Sequence, residues 1–263
     1  MQTKKQMKYL NDISYKDCVG KVYKSKFSGD FKIVKYNDSR NVEIQFLKTG
    51  YEMVAQLGHI KNGGVKDPYL PSVYGVGIIG TKYPTSINNK SIKEYVVWKD
   101  MLKRCYCEKY HFKKPTYIGC EVSENFKNYS FFYEWCQNQI GFNNKDWQLD
   151  KDLLIKGNKV YSENTCIFIH RELNQTLTKA NLIRGEHPVG VCFDKSRDKF
   201  IACVCLNSSK RKYLGVFDTE LDAFKAYKQA KETFVKEQAE KWKDRIDGRA
   251  YNALMNYEVE ITD

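Results

Sequence analysis

No run in this chain of 263 residues approaches the roughly 20 consecutive apolar residues that a membrane-spanning helix needs. Its N-terminus, MQTKKQMKYLNDISYKD, is basic and lacks the apolar core of a signal peptide. No internal repeat is evident. Nor is there a disulfide framework: the nine cysteines are odd in number and sit mostly inside apolar patterns such as FIACVCL. That distribution suits reduced thiols better than paired ones. These absences set the first expectation, a cytoplasmic protein with no membrane partner.

Enough is present for packed cores. Hydrophobic residues make up 42% and aromatics 14%, and a charged fraction of 29% is ordinary for folded chains, so global disorder is not expected. The length exceeds one typical domain, which makes two or three small ones the prior. Charge is lopsided, with a formal net charge of +12. That excess points to a polyanionic partner, nucleic acid first among them. The plainer alternative is that the charge serves solubility alone.

Texture divides the chain. Residues 1–14 are expected to be a flexible N-terminus. Residues 15–70 hold short alternating runs (GKVYKSKF, DFKIVKY, NVEIQFL, YEMVAQL) separated by SGD, YNDSRN and KTG, the pattern of antiparallel hairpins. We expect a small antiparallel β-barrel or SH3-like sheet there. Residues 71–182 begin with a Gly- and Pro-rich connection. A helix follows with Tyr95, Trp98, Met101, Leu102 and Cys105 on one face, and Ser91 with Glu94 as a capping box. A second helix would bury Phe126, Tyr129, Phe132, Tyr133 and Cys136 and end at Gly141. The stretch Trp147–Leu177 then changes from strand to loop to strand to helix. Residues 186–246 read as three short strands and a helix capped by Asp218 or Thr219, and 247–263 as a tail, helical in YNALMNY or frayed. The fold class is multidomain α+β.

Two local phrasings carry a resemblance. WKDMLKRCY, the aromatic helix, LDKD, YSENTC and IFIHRELN resemble the HNH-type endonucleases of bacteriophages and mobile introns. GVCFDKSRDKFIACV and YLGVFDTELDAFKAY, in three-strand-plus-helix order, resemble the AP2 DNA-binding domain that accompanies such nucleases. Together they cover roughly residues 85–245. The resemblance implies a ββα-metal domain at 71–182 and an AP2-like sheet packed on one helix at 186–246. It also implies double-stranded DNA as partner, and the host cell's cytoplasm as location if the gene is a phage's.

An HNH site grips one divalent ion between a hairpin and a helix, and a His beside the first ligand activates water. Carried onto this chain, Asp150 takes the first-ligand place, Asn174 the helix-ligand place and Asn164 the central Asn. The expected ion is Mg²⁺ or Mn²⁺. Lys151 stands where the His belongs. As a base it must lose a proton; as a cation it would orient or neutralise phosphate. His170, four residues before Asn174, would share its helix face and could supply a metal ligand or base, the plainer reading being an exposed histidine at a helix start. Asp152 either extends the site or points to water, and Glu172 reads as a solvated helix residue. Zinc is the weaker idea: Cys105, Cys107, Cys120 and Cys136 lack tight pair spacing, and Cys105 and Cys136, on apolar helix faces, read as core thiols.

In KFIACVCL, Phe200, Ala202, Val204 and Leu206 share the face toward Ala223, Tyr227 and Ala230, leaving Lys199, Ile201, Cys203 and Cys205 outward. In AP2 domains that outer face lies in the major groove. Here the positive charge gathers at its flanks, Lys195, Arg197 and Lys199, then Lys210, Arg211 and Lys212, which suits phosphate contacts more than base reading. Three functions stay open: a targeted metal-dependent endonuclease, a non-catalytic DNA-binding or host-protein-binding relative of one, and an RNA-binding protein.

Overall fold

The computed structural model describes residues 18–177, 186–207 and 210–263. The expected flexible segment 1–14 lies outside the described residues, as does the end of the expected nuclease domain at 178–182. The chain is mixed α+β and forms two compact units. One comprises Met1–Thr116 and Lys127–Tyr133, the other Tyr117–Phe126 and Glu134–Asp263. Among the described residues no helix is long and apolar enough to cross a membrane.

In the first unit, β1 (Val22–Ser25), β2 (Gly29–Asp38), β3 (Asn41–Phe46) and β4 (Glu52–Ala55) form an antiparallel meander in sequence order. Alternation decides the buried face: Phe31 opposes Phe46 and Ile33 opposes Ile44, all fully buried. Helix α1 (Leu57–Lys61) covers that face with Leu57 and Ile60. The expected barrel is corrected to an open sheet. Its edges, β1 and β4, are only four residues each and do not pair with one another.

The rest of this unit holds a two-stranded ribbon, β5 (Ser86–Ile87) with β6 (Lys90–Ser91), then α2 (Lys93–Tyr106) and α3 (Glu108–Lys113). Trp98, Met101, Leu102 and Cys105 are the buried face of α2, as their spacing predicts. Ser91, expected as the cap, pairs with Ser86 in the ribbon, and the N-cap position falls to Ile92 without a side-chain bond.

The second unit begins with β7 (Glu121–Val122), followed by the short helices α4 (Glu124–Lys127) and α5 (Tyr129–Gln137), whose residues are divided between the units. Next come β8 (Trp147–Asp150), β9 (Val160–Tyr161), β10 (Ile167–His170) and α6 (Arg171–Leu177). Strands β8 and β10 are antiparallel, while β9 runs parallel to β7. The C-terminal sheet is β11 (Val191–Asp194), β12 (Lys199–Asn207) and β13 (Lys210–Phe217), followed by α7 (Glu220–Trp242) and α8 (Gly248–Met255). Thr219 caps α7 by accepting the Asp222 N–H at 3.1 Å.

Helix α7 serves two cores. Phe224 and Tyr227 pack with Val204, Leu206 and Leu214 of the sheet. Farther along, Val235, Ala239 and Trp242 pack with Ile167, Ile169 and Leu173 of the β10–α6 segment. At 23 residues it is about 34 Å long, enough to span both. The last residues are ordered by the same helix: Ala250, Leu254 and Val259 are buried, and Asp247 caps α8. Gly190, at φ 80°, lies where any Cβ would overlap the Tyr227 ring.

Candidate functional site

The segment resembling a nuclease site is built on a four-rung ladder. Its register pairs Asp150 with Ile167, Leu149 with Phe168, Gln148 with Ile169 and Trp147 with His170. Phe168 packs against Phe142 and Trp135, and Leu173 sits in the α7 core.

Asp150 ends β8 and turns the chain. Its Oδ1 accepts the backbone N–H groups of Asp152 at 2.9 Å and Leu153 at 2.8 Å. Burial raises its pKa, outweighing those two bonds, which lower it. Lys151 is buried and faces into the loop. Its ammonium donates to the Asn158 carbonyl at 2.7 Å, pairs with Asp152, and lies 5.8 Å from the Tyr161 ring centre. Asn158 answers by donating to the Lys151 and Val160 carbonyls, both at 2.7 Å. Lys151 and Asn158 therefore stitch the 151–160 loop from both sides. The Lys151 amine thus directs its donors to the Asn158 carbonyl and to Asp152.

Asn164 is exposed in the turn before β10. That turn is closed by Ser162 and Thr165, whose hydroxyls lie 2.8 Å apart, with the Cys166 N–H donating to the Ser162 carbonyl at 2.9 Å. Asn174 donates from its amide to Gln148 Oε1 at 3.2 Å. Gln148 and Asp150 share a strand face, so Asn174 leans toward the Asp150 side of the ladder.

His170 is placed differently from expectation. It is the last residue of β10, ahead of α6, and not on the helix face of Asn174. It stands three rungs from Asp150, about 10 Å along the ladder and on the opposite face. The structure does not bring it beside Lys151. As the donors stand, Asp150 spends one oxygen on its turn and Asn174 directs its amide to Gln148. Among the described residues no group of three or more His, Cys, Asp or Glu side chains could hold a metal ion. All nine cysteines are free thiols, Cys105, Cys120 and Cys136 buried among them.

The outer face of the C-terminal sheet is the second candidate. Register places Cys192 opposite Ile201, Ile201 opposite Val216, Cys203 opposite Tyr213 and Cys205 opposite Arg211 on that face. A bulge after Ala202 inserts Leu214 and keeps the alternation in step. Arg211 donates to Cys192 Sγ at 3.7 Å, and Tyr213 is 58% exposed. At the other end, Lys195 and Arg197 occupy the exposed β11–β12 turn, with Arg197 3.7 Å from Asp194, and Lys199 pairs with Asp218. Lys212 opposes Val204 and so leaves the strand on the helix side, away from this face. The Lys210 side chain lies outside the described residues.

Sequence reasoning missed Asn158, although its place in KGNK marks a turn. It also missed the meeting of His170 and Arg245 with Trp242, which depends on tertiary packing alone. Compared with family models, with curated proteins and with solved structures, the chain matches none.

Proposed function

We propose that this chain binds double-stranded DNA through the outer face of its C-terminal sheet, with the β8–β10–α6 segment kept as a scaffold. The observation that carries the reading is the layout of that sheet: basic groups at both ends of an exposed face, Lys195, Arg197 and Lys199 at one and Arg211 at the other. Lys199 and Cys205, whose cross-strand partner is Arg211, are six residues apart on β12, about 20 Å. A major groove is about 12 Å wide, so the two ends would reach the phosphates on its two sides once the Arg211 guanidinium leaves Cys192 Sγ. The scaffold half of the proposal follows from Lys151, buried in the loop and bonded as a donor where the resembling enzymes carry their base.

A second reading keeps one observation of its own. Gln148, Asp150 and the amide of Asn174 lie on one face, so a rearranged Asp150 with Asn174 would be the residues to hold Mg²⁺ or Mn²⁺. That ion would supply charge stabilisation at a scissile phosphate.

One experiment separates the two: supercoiled plasmid incubated with the protein and either ion, alongside a gel-shift titration of a duplex. The scaffold reading expects retarded, uncut DNA. Nicking by wild type that Asp150→Ala abolishes would replace it with the endonuclease. Neither cutting nor retardation at low salt would remove both.

A further inference from the structure

At the His170 end of the ladder, away from Asp150, lies a hollow of about 320 Å³ that neither reading uses. Asn144, Lys145, Trp147, His170, Trp242 and Arg245 line it. Its walls are set by packing. Gly141, at φ 85°, leaves room for the Trp147 ring that any Cβ there would overlap. The His170 ring stacks on Trp242 at 4.5 Å between centres and 26° between planes. The Arg245 guanidinium sits 3.9 Å from the same indole, and Trp147 meets it edge-on at 6.2 Å. Two cationic or donor groups are therefore held by one buried ring, which lowers the entropy lost when they bind.

The lining is rich in donors and contains no carboxylate. The backbone N–H of Glu172 donates to His170 Nδ1 at 3.3 Å, which in the neutral imidazole assigns the ring hydrogen to Nε2. Glu172 itself approaches Nδ1 to 4.0 Å, but Lys241 at 3.6 Å offsets its charge. A lining of lysine, arginine, imidazole N–H and amide suits an oxyanion. Its volume is larger than a bare ion needs and falls at the lower end for organic ligands, and indole walls suit a flat ring.

We infer that this hollow is a nucleotide site, taking the phosphate on Lys145, Arg245 and His170 Nε2–H with the base against the Trp147 ring. The site is separate from the sheet and does not depend on the sheet's binding DNA. The phosphate comes either from a free nucleotide or from an unpaired nucleotide of a strand.

Two of the four tryptophans line the hollow, so intrinsic fluorescence reports on it directly. The titrants are adenosine 5′-monophosphate, adenosine, inorganic phosphate and a short single-stranded oligonucleotide. We expect a saturable change with the monophosphate and affinity for adenosine lower by about tenfold or more, the worth of a charge-assisted contact. Arg245→Gln and, separately, Lys145→Gln should each weaken the monophosphate by a similar factor. Lys145 is exposed and does not support the Trp242 stack, so its variant keeps the test valid should Arg245→Gln loosen the fold. An oligonucleotide binding tighter than the monophosphate assigns the site to a strand; the reverse assigns it to a free nucleotide. No saturable response, or a response that both variants leave unchanged, overturns the inference. The gel shift with Lys195→Gln/Arg211→Gln is run in parallel: duplex binding unchanged by these variants, with the fluorescence response intact, removes the sheet proposal and leaves the hollow standing.

Discussion

Asp150 shows how a residue expected to bind metal can instead be explained by its turn. Its Oδ1 holds two backbone N–H groups, and an amide oxygen could do the same. Burial raises its pKa above the usual 3.8, so the folded protein holds the proton more tightly than the unfolded chain does. Stability from this group is therefore fully present below the unfolded pKa of 3.8 and lost as pH rises through the higher folded value. At neutral pH the buried charge is a cost. Asp150→Asn should match wild type in acid and equal or exceed it at pH 7, read by urea denaturation. Asp150→Ala should lose about 1–2 kcal/mol at both, because the turn loses its acceptor. Should the Asn variant prove as unstable as the Ala variant at pH 7, the carboxylate has a partner that this turn does not explain.

Helix α7 sets the behaviour of its neighbours at the scale of elements. Lys231 is buried near its middle and donates to the Thr176 carbonyl at 2.5 Å, tying the end of α6 to α7. Burial lowers its pKa below 10.5, outweighing Cys205, so between the folded and unfolded values the unfolded chain binds the extra proton. Stability from Lys231 should thus rise with pH through that window, and Lys231→Met should flatten the rise relative to wild type. Because one helix runs through both cores, Leu173→Ala and Phe224→Ala should lower the same thermal transition, each by about 2–5 kcal/mol. Two separately shifted transitions would show the cores to be independent. Local chemistry was legible here: the Thr219 cap, the α2 face and the inward Val204 and Leu206 all follow from spacing within a few residues. The sharing of α7 was not, since nothing in the order of residues links Val235 to Ile167. The same holds for the site. Asp150 and Lys151 could be located on the chain, but their bonds to Leu153 and Asn158 depend on how the loop folds back.

The excess of positive charge belongs to the whole molecule, and salt tests whether the C-terminal sheet puts it to use. A duplex ligand should show log affinity falling linearly with log salt, by about 0.9 for each phosphate neutralised. Lys195→Gln and Arg211→Gln should each reduce that slope by about 1 if the sheet's two ends touch phosphate. Lys212→Gln serves as the control, because Lys212 leaves β13 on the helix side and should change the slope less. Base reading should be weak: Ile201, Cys203 and Val216 on the outer face offer no bidentate donors, and Lys199 is already paired with Asp218. Affinity for any one sequence should then exceed that for unrelated duplex by less than about 10³, the low end for specific binders. A larger ratio would mean that bases are read by residues outside this face, while a slope unchanged by both end variants would move the contact surface away from the sheet altogether.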